Sequence, residues 1–337
     1  MTATIADVAE RAGVSTATVS RVLAGVGRAR PETQARVLEA ARQLDYRPSE
    51  VARSLKRRST QTLGLIITDI ENPYFPQLVR SVEDAARAAG FSVLLCNAAD
   101  DPDREASYLD LLVDRRVDGL IVAASNLGAR QGEWLTAPPI PVVLVNTEAP
   151  KAGLPTIMSD NTGGARLATE HLLALGHHRF GYLMPPPRNV DAPSRLAGVQ
   201  AALRDAGCPD DALTIADGDA LVGGGEAAAI DLLDRAPDTT AIVAYNDLMA
   251  IGALRALRQR GRRVPADTSV VGFDDVPVAA YVDPPLTTIA QRTEEMGRWA
   301  VERLVGIDGA GGAGVGGASV KLAVDLRIRE STGPAPA

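Results

Sequence analysis

From residue 62 onward the chain repeats one pattern: a short β-branched run, a helix-length amphipathic stretch, then another short run. "TLGLIIT", "FSVLLC", "VDGLIVA" and "PVVLVN" are strand-like, and the stretches 74–89, 102–115 and about 128–136 between them are helical. Consecutive strands separated by helices predict a parallel sheet covered on both faces. A second series begins after "PTIMSDN", where "RFGYLM", "LTIAD", "TAIVAY" and "SVVGF" alternate with helices over 161–175, 194–206, 223–235 and 246–260. Two series predict two α/β lobes. Ligands of open α/β sheets sit beyond the carboxyl ends of the strands, so two facing lobes enclose a cleft.

This pattern accounts for residues 62–330 only. At 337 residues, 46% of them apolar, the chain is long enough for more than one domain. Its charge is uneven: residues 1–60 hold 11 Lys/Arg against 6 Asp/Glu, whereas the rest hold 24 against 36. A small basic head on an acidic body is what a nucleic-acid module joined to a sensor or enzyme shows, since only the head must approach phosphates. No apolar run reaches the roughly 18–20 residues of a membrane span. The opening residues, with Thr2, Thr4, Asp7 and Glu10, lack the apolar core of a secretory signal, so export is not expected. Cys96 and Cys208 stand far apart and outside metal-ligand spacing; they read as buried free thiols, which fits a cytoplasmic setting.

Within the basic head, "TIADVAERAGVSTATVSRVL" holds two helical patterns broken at Gly13. Thr4 and Asp7 have capping-box spacing, and Val8, Ala9 and Ala12 form one apolar face. Ser15 suits the N-cap of a second helix whose Val19, Val22 and Leu23 fall on one side. The opposite side carries Thr16, Ala17, Ser20 and Arg21, short at the start with one long donor a turn later, as insertion into a major groove requires. Pro31 opens a third helix with Val37, Ala41 and Leu44 inward. Three short helices with a glycine turn also occur in interaction bundles, but the charge favours a helix-turn-helix.

Polar residues gather where the predicted strands end. Asp69, Asn72, Tyr74 and Phe75 follow the first strand; Asp160 and Asn161 follow "TIMS"; Asn246 and Asp247 follow "TAIVAY"; Asp274 and Asp275 follow "SVVGF". A single Asn or Asp at such a place is as well explained as a cap or turn residue. Their common placement points to a polar ligand. A sugar or polyol needs several short donors and acceptors beside a flat apolar face, and a phosphorylated ligand calls for more cations. The glycines of "LVGGGEAAA" lack the Gly-Lys-Ser/Thr of a phosphate loop and serve a helix start. His171, His177 and His178 have no metal spacing, so no metal and no cofactor are expected. "GIDGAGGAGVGGAS", residues 306–319, reads as a flexible connection, and "STGPAPA", residues 331–337, as a disordered tail.

The run from Ile5 to Leu23, continued by "ETQARVLEAARQLDYRPSEVARSLK", resembles the DNA-binding head of the LacI/GalR-type bacterial transcription repressors. The likeness extends through "GLIITDIENPYFPQLVRSVE", "RRVDGLIV", "SDNTGGARLATEHLLALGHHRFGYL", "RLAGV", "AIVAYNDLMAIGAL", "SVVGFDD" and "PPLTTIAQ", and covers nearly the whole chain. It implies an α/β fold with a three-helix helix-turn-helix head over 1–48, a hinge helix and linker over 49–61, and a two-lobed body over 62–330 like that of periplasmic binding proteins. The N-lobe would take about 62–160 plus 291–322 and the C-lobe about 161–290 plus 323–330. The implied protein is a homodimeric repressor on a pseudo-palindromic double-stranded operator, gated by a small effector, with no membrane partner.

Carried over position by position, the resemblance places Asp69, Tyr74, Phe75, Asp160, Asn189, Asp191, Arg195, Asn246 and Asp274 at the effector cleft. It places Thr4, Ser15, Thr16, Ala17, Thr18, Ser20, Arg21, Arg30, Arg53, Leu55 and Lys56 on DNA, with Leu55 as a wedge into a central minor-groove step. Leu55 otherwise packs on Val51 in a short helix that joins two domains. Two departures stand out. Arg30 replaces a Ser-like cap before the third helix, and Ala220 replaces an aromatic ring that purine- and galactoside-responsive relatives carry, which favours a small sugar-like effector. A sugar transport protein would need a signal peptide and no such head, and an enzyme would need a catalytic constellation, of which the sequence offers none.

Overall fold

The computed structural model describes residues 3–23, 29–46, 59–125, 132–147, 153–306 and 318–336. The expected hinge positions Arg53, Leu55 and Lys56 lie outside the described residues, as does most of the Gly/Ala-rich stretch. The chain divides into two compact units, Met1–Gln61 and Thr62–Ala337.

In the first unit, α1 (Ile5–Ala12) starts at a full capping box: the Thr4 amide donates to Asp7 Oδ2 at 2.7 Å and the Asp7 amide donates to Thr4 Oγ1 at 3.4 Å. Gly13 ends it with φ 62°, a left-handed geometry that a side chain would oppose, and the Val14 amide then closes onto the Ala9 carbonyl. The chain turns directly into α2 (Thr16–Leu23), where Ser15 Oγ accepts the Thr18 amide at 3.2 Å. α3 (Pro31–Gln43) has Pro31 in its first turn and no side-chain cap from Arg30. Val8, Ala9, Ala12, Val19, Val22, Val37, Ala40 and Ala41 are buried together and form the core that these helices share. Leu44, expected inside, is only half-buried; Ala40 takes the inner position one turn earlier.

The second unit carries two sheets. The first joins β1 (Thr62–Ile67), β2 (Ser92–Asn97), β3 (Gly119–Ala123), β4 (Val142–Val145), β5 (Thr156–Ser159) and β11 (Ser319–Leu322) in the order β11-β5-β4-β3-β1-β2, every pair parallel. Leu63 pairs with Gly119 and Val93 across β1, so its residues from Leu63 to Ile67 are buried on both faces, as a central parallel strand demands. Three described helices connect these strands: α4 (Tyr74–Ala88), α5 (Pro102–Asp114) and α6 (Gly132–Thr136). Asp101 caps α5 by accepting the Asp103 and Arg104 amides.

The second sheet joins β6 (Phe180–Met184), β7 (Leu213–Asp217), β8 (Ala241–Ala244), β9 (Ser269–Asp274), β10 (Thr287–Ala290) and β12 (Asp325–Arg327) in the order β12-β10-β9-β8-β6-β7, parallel except for the β10–β12 pair. Its helices are α7 (Asn161–Ala174), α8 (Ala192–Asp205), α9 (Val222–Arg235) and α10 (Asp247–Gln259), while α11 (Thr293–Val305) returns to the first sheet and packs on α4. The chain therefore crosses between the lobes three times: after β5, after β10 and between β11 and β12.

The expected disordered tail is corrected by the structure. Ser331 is fully buried, its hydroxyl donating to the Val270 carbonyl at 2.6 Å and accepting the Thr287 amide at 2.8 Å. The Val270 amide donates to the Ser331 carbonyl, the Gly333 carbonyl faces His177 Nε2 at 3.0 Å, and the Ala335 amide donates to the Leu175 carbonyl. Polar, proline-containing composition suggests disorder, but here the hydroxyls and backbone complete the starts of β9 and β10. Cys96 is buried as expected, whereas Cys208 is only partly so.

Candidate functional site

The carboxyl ends of β1, β4, β6, β8, β9 and β10 converge on a cleft of about 70 Å³ between the two lobes. A larger, open groove of about 820 Å³ runs between α4 and α11, but it collects none of the strand-end polar groups, so the small cleft is the candidate site.

Asp69, Tyr74, Phe75, Asn189, Asp191, Arg195, Asn246 and Asp274 all line the cleft. Asp160 does not line it. Its carboxylate caps α7 by accepting the Gly163 amide at 3.1 Å and stands 3.6 Å from Lys321 Nζ, because β5 ends at a lobe crossing and the next helix needs a cap there. Asn246 caps α10 through the Met249 amide, and its Nδ2 donates to the Ala220 carbonyl at 2.9 Å, which ties the Ala220 loop to the cleft wall.

Arg195 is the centre of the charge pattern. Its guanidinium lies 3.7 Å from the Phe273 ring centroid and 4.6 Å from that of Tyr245. Nε donates to Asn161 Oδ1 at 2.9 Å and Nη1 to the Tyr245 carbonyl at 2.6 Å; Nη2 pairs with Asp191 at 2.5 Å, and Asp274 stands 3.6 Å from Nη1. Burial opposes this charge, yet Asp191, Tyr245 and Asp274 outweigh it and hold the guanidinium above its usual range. Tyr245 donates to Asp191 Oδ1 at 2.6 Å and receives Asn189 Nδ2 at 3.3 Å. The arginine thus positions two carboxylates toward the ligand space.

Burial pushes Asp274 up to about 7, against the lowering effect of Arg195 and of a hydrogen bond from Gln291. Burial, with Asp274 nearby, also pushes the Tyr74 hydroxyl up; that hydroxyl receives Asn146 Nδ2 at 2.7 Å and donates to Met296 Sδ, so Tyr74 offers the ligand its ring rather than its oxygen. The Tyr74 and Phe75 rings meet edge to face, 5.3 Å apart. Asn189 Oδ1 is buried without a protein partner among the described residues, an acceptor left for a ligand donor.

Lining residues Asp100, Ala124, Asn146, Ala220 and Asp274 have positive φ, from 46° to 119°, although none is glycine. Backbone strain of this kind gathers where geometry serves a site. Sequence reasoning missed Asn146, Tyr245 and Gln291, which sit at or just past the ends of β4, β8 and β10; the position that flagged Asn246 would have found all three. The arrangement provides acceptors, a few donors and aromatic faces. Among the described residues no group of His, Cys, Asp or Glu is placed to hold a metal ion, and no described helix is long and apolar enough to cross a membrane.

On the head, Thr16, Ala17 and Arg21 lie exposed along α2, Ser20 is half-buried, and Arg21 Nε folds back to the Ala17 carbonyl at 3.3 Å. Thr4 and Ser15 are exposed and serve as caps, with Ser15 Oγ also 3.0 Å from Thr18 Oγ1; Arg30 is exposed at the start of α3.

A sequence profile described as "Bacterial regulatory proteins, lacI family" matches residues 4–49. Another, described as "Periplasmic binding proteins and sugar binding domain of LacI family", matches residues 60–319. The chain is similar to the HTH-type transcriptional repressor CytR of Escherichia coli (strain K12), 37% identical over 336 residues that cover 99% of this chain and 97% of that one. Among solved structures it is similar to the lac repressor dimer bound to operator and the anti-inducer ONPF, with 30% identity and a TM-score of 0.88 over 99% of this chain and 100% of that one. It is also similar to the complex of the transcriptional regulator CelR with cellobiose, with 33% identity and a TM-score of 0.74 over 98% and 99%. With a basic helix-turn-helix head and a two-lobed body that encloses a polar cleft, the chain belongs to the LacI family of bacterial regulatory proteins.

Proposed function

We propose that the chain is a cytoplasmic, non-enzymatic transcriptional repressor that binds a pseudo-palindromic operator as a homodimer and is gated by a sugar-like effector in the cleft. The observation that carries the DNA half is α2: capped by Ser15 and pinned by Val19 and Val22, it offers Thr16, Ala17 and Arg21 outward on a head of positive net charge. Short side chains let the helix approach base edges, and Arg21 reaches a guanine bidentately. Arg53 and Lys56 add phosphate contacts around Leu55, and Arg30 adds one at the start of α3.

Support for the dimer comes from β2. As the edge strand of the first sheet it leaves Leu94 and Leu95, on opposite faces, 42% and 43% exposed. Parallel edges with open apolar faces invite a partner, and a second copy supplies one. The lac repressor structure is a dimer on operator, and the CelR structure holds cellobiose. The first agrees with a dimer on DNA and the second with an effector rich in hydroxyls, whose donors the carboxylates of Asp191 and Asp274 and the free Oδ1 of Asn189 accept. An effector that binds one lobe arrangement better shifts the spacing of the two heads, and with it operator affinity.

Gel shifts of the full chain on DNA upstream of its own gene, at several salt concentrations, test the first half. A specific complex whose affinity falls linearly with log salt is expected. Thermal shifts with a panel of monosaccharides, disaccharides and nucleobases test the second; stabilisation by nucleobases alone would overturn the sugar reading.

A further inference from the structure

Gln291 lies on the second of the three lobe crossings, between β10 and α11. Its side-chain amide is held from both lobes. Nε2 donates to Asp274 Oδ1 at 2.7 Å in the C-lobe, while Oε1 accepts from Ser159 Oγ at 2.6 Å and from Asn146 Nδ2 at 3.0 Å in the N-lobe. Asn146 continues the series: its Oδ1 accepts the Ser159 amide at 2.9 Å, and its Nδ2 reaches the Tyr74 hydroxyl on α4, which contacts Met296 on α11. A path of hydrogen bonds therefore begins at a cleft carboxylate of one lobe and ends on the two packed helices of the other.

The chemistry fixes the amide's orientation. Two donors stand on one side and a carboxylate on the other, so the bridge needs an acceptor at one end and a donor at the other, which glutamine supplies at this reach. Among the described residues, every hydrogen bond and ion pair to the Asp274 carboxylate falls on Oδ1, which leaves Oδ2 for a ligand.

We infer that Gln291 is a positioning residue that couples the state of the Asp274 carboxylate to the strand ends of the N-lobe, so that a ligand engaging Asp274 resets α4 and α11. The inference rests on the cleft being the effector site, but the physical link is open to test without any ligand. A buried glutamine that merely satisfied its own hydrogen bonds would act locally. A bridge makes Asp274 felt in the other lobe, and makes the two residues non-additive.

Hydrogen exchange of the full-length chain separates the two. Asp274→Ala, a C-lobe change, should speed exchange of amides in 142–147 and 156–160 by about tenfold, as Gln291→Leu does, with the double substitution no faster than the stronger single one. A polarity swap guards against simple misfolding. Gln291→Glu alone sets two carboxylates face to face and should speed the same amides; adding Asp274→Asn returns a donor opposite the new acceptor and should bring exchange back to within about twofold of wild type. Unchanged N-lobe exchange in Asp274→Ala, additive effects, or a swap that fails to restore protection would each overturn the inference. Exchange as expected, in a protein whose cleft binds no compound of the panel, would fault the effector reading and leave the bridge standing.

Discussion

Substitution of Ser331 by alanine tests the packed tail most sharply. Its hydroxyl is the side-chain partner of the Thr287 amide and of the Val270 carbonyl, and all three residues have no exposure to solvent. The Val270 amide and the Ser331 carbonyl keep their bond, so the strap stays in place and cannot move aside to relieve the loss. Two buried backbone groups are then left without that partner, at about 1–3 kcal/mol each, for an expected cost of about 2–6 kcal/mol. Pro336→Ala, at an exposed position, is the control and should stay within about 0.5 kcal/mol. Urea unfolding followed by circular dichroism reads both lobes, whereas tryptophan fluorescence reads the first sheet's lobe alone, since Trp134 and Trp299 lie on α6 and α11. The dichroism transition should move to lower urea. If Ser331→Ala leaves it where the control does, the strap contributes nothing and the reasoning fails.

Three further outcomes are expected. Asp274 binds its proton more tightly in the folded chain, at about 7 against 3.8, so this group's contribution to stability is full below about pH 4 and is lost as pH rises to about 7; Asp274→Asn should flatten that decline in thermal midpoints taken from pH 4 to 8. Arg21→Ala should weaken operator binding by about 1–3 kcal/mol and relax preference at one base pair per half-site, whereas equal weakening on random DNA would make Arg21 a phosphate contact. Leu55→Ala should leave effector affinity unchanged and abolish the operator bend in a circular-permutation gel assay; an intact bend would reject the wedge.

Local signals made the head legible. The Thr4–Asp7 box, Gly13 and Ser15 each act within four residues, so composition and spacing specify the turn between α1 and α2 completely. The two sheets were legible from alternation, because buried parallel strands must be apolar on both faces. The cleft was legible at its strand-end polar residues and at Tyr74 and Phe75 after the first strand, and by resemblance at Asn189, Asp191 and Arg195. Gln291 and Asn146 were findable by their strand-end positions, but the bond between them spans 145 residues and leaves no local signal, and Asp160 misled because a capping carboxylate and a ligand carboxylate look alike in sequence. The tail failed for the same reason: the carbonyl that Ser331 serves is 61 residues distant.

The three crossings have a consequence for how such a protein is made and remade. The first sheet lacks its covering helix α11 until residue 305 and its edge strand β11 until residue 322 has been synthesised, after all the parallel strands of the second sheet have been made. The early half must wait, partly built, for the late half. The same threading governs inheritance: a recombination that transplants one ligand-specifying lobe from a relative needs three junctions, near residues 160, 291 and 323, where a single breakpoint at any one of them would leave at least one sheet chimeric.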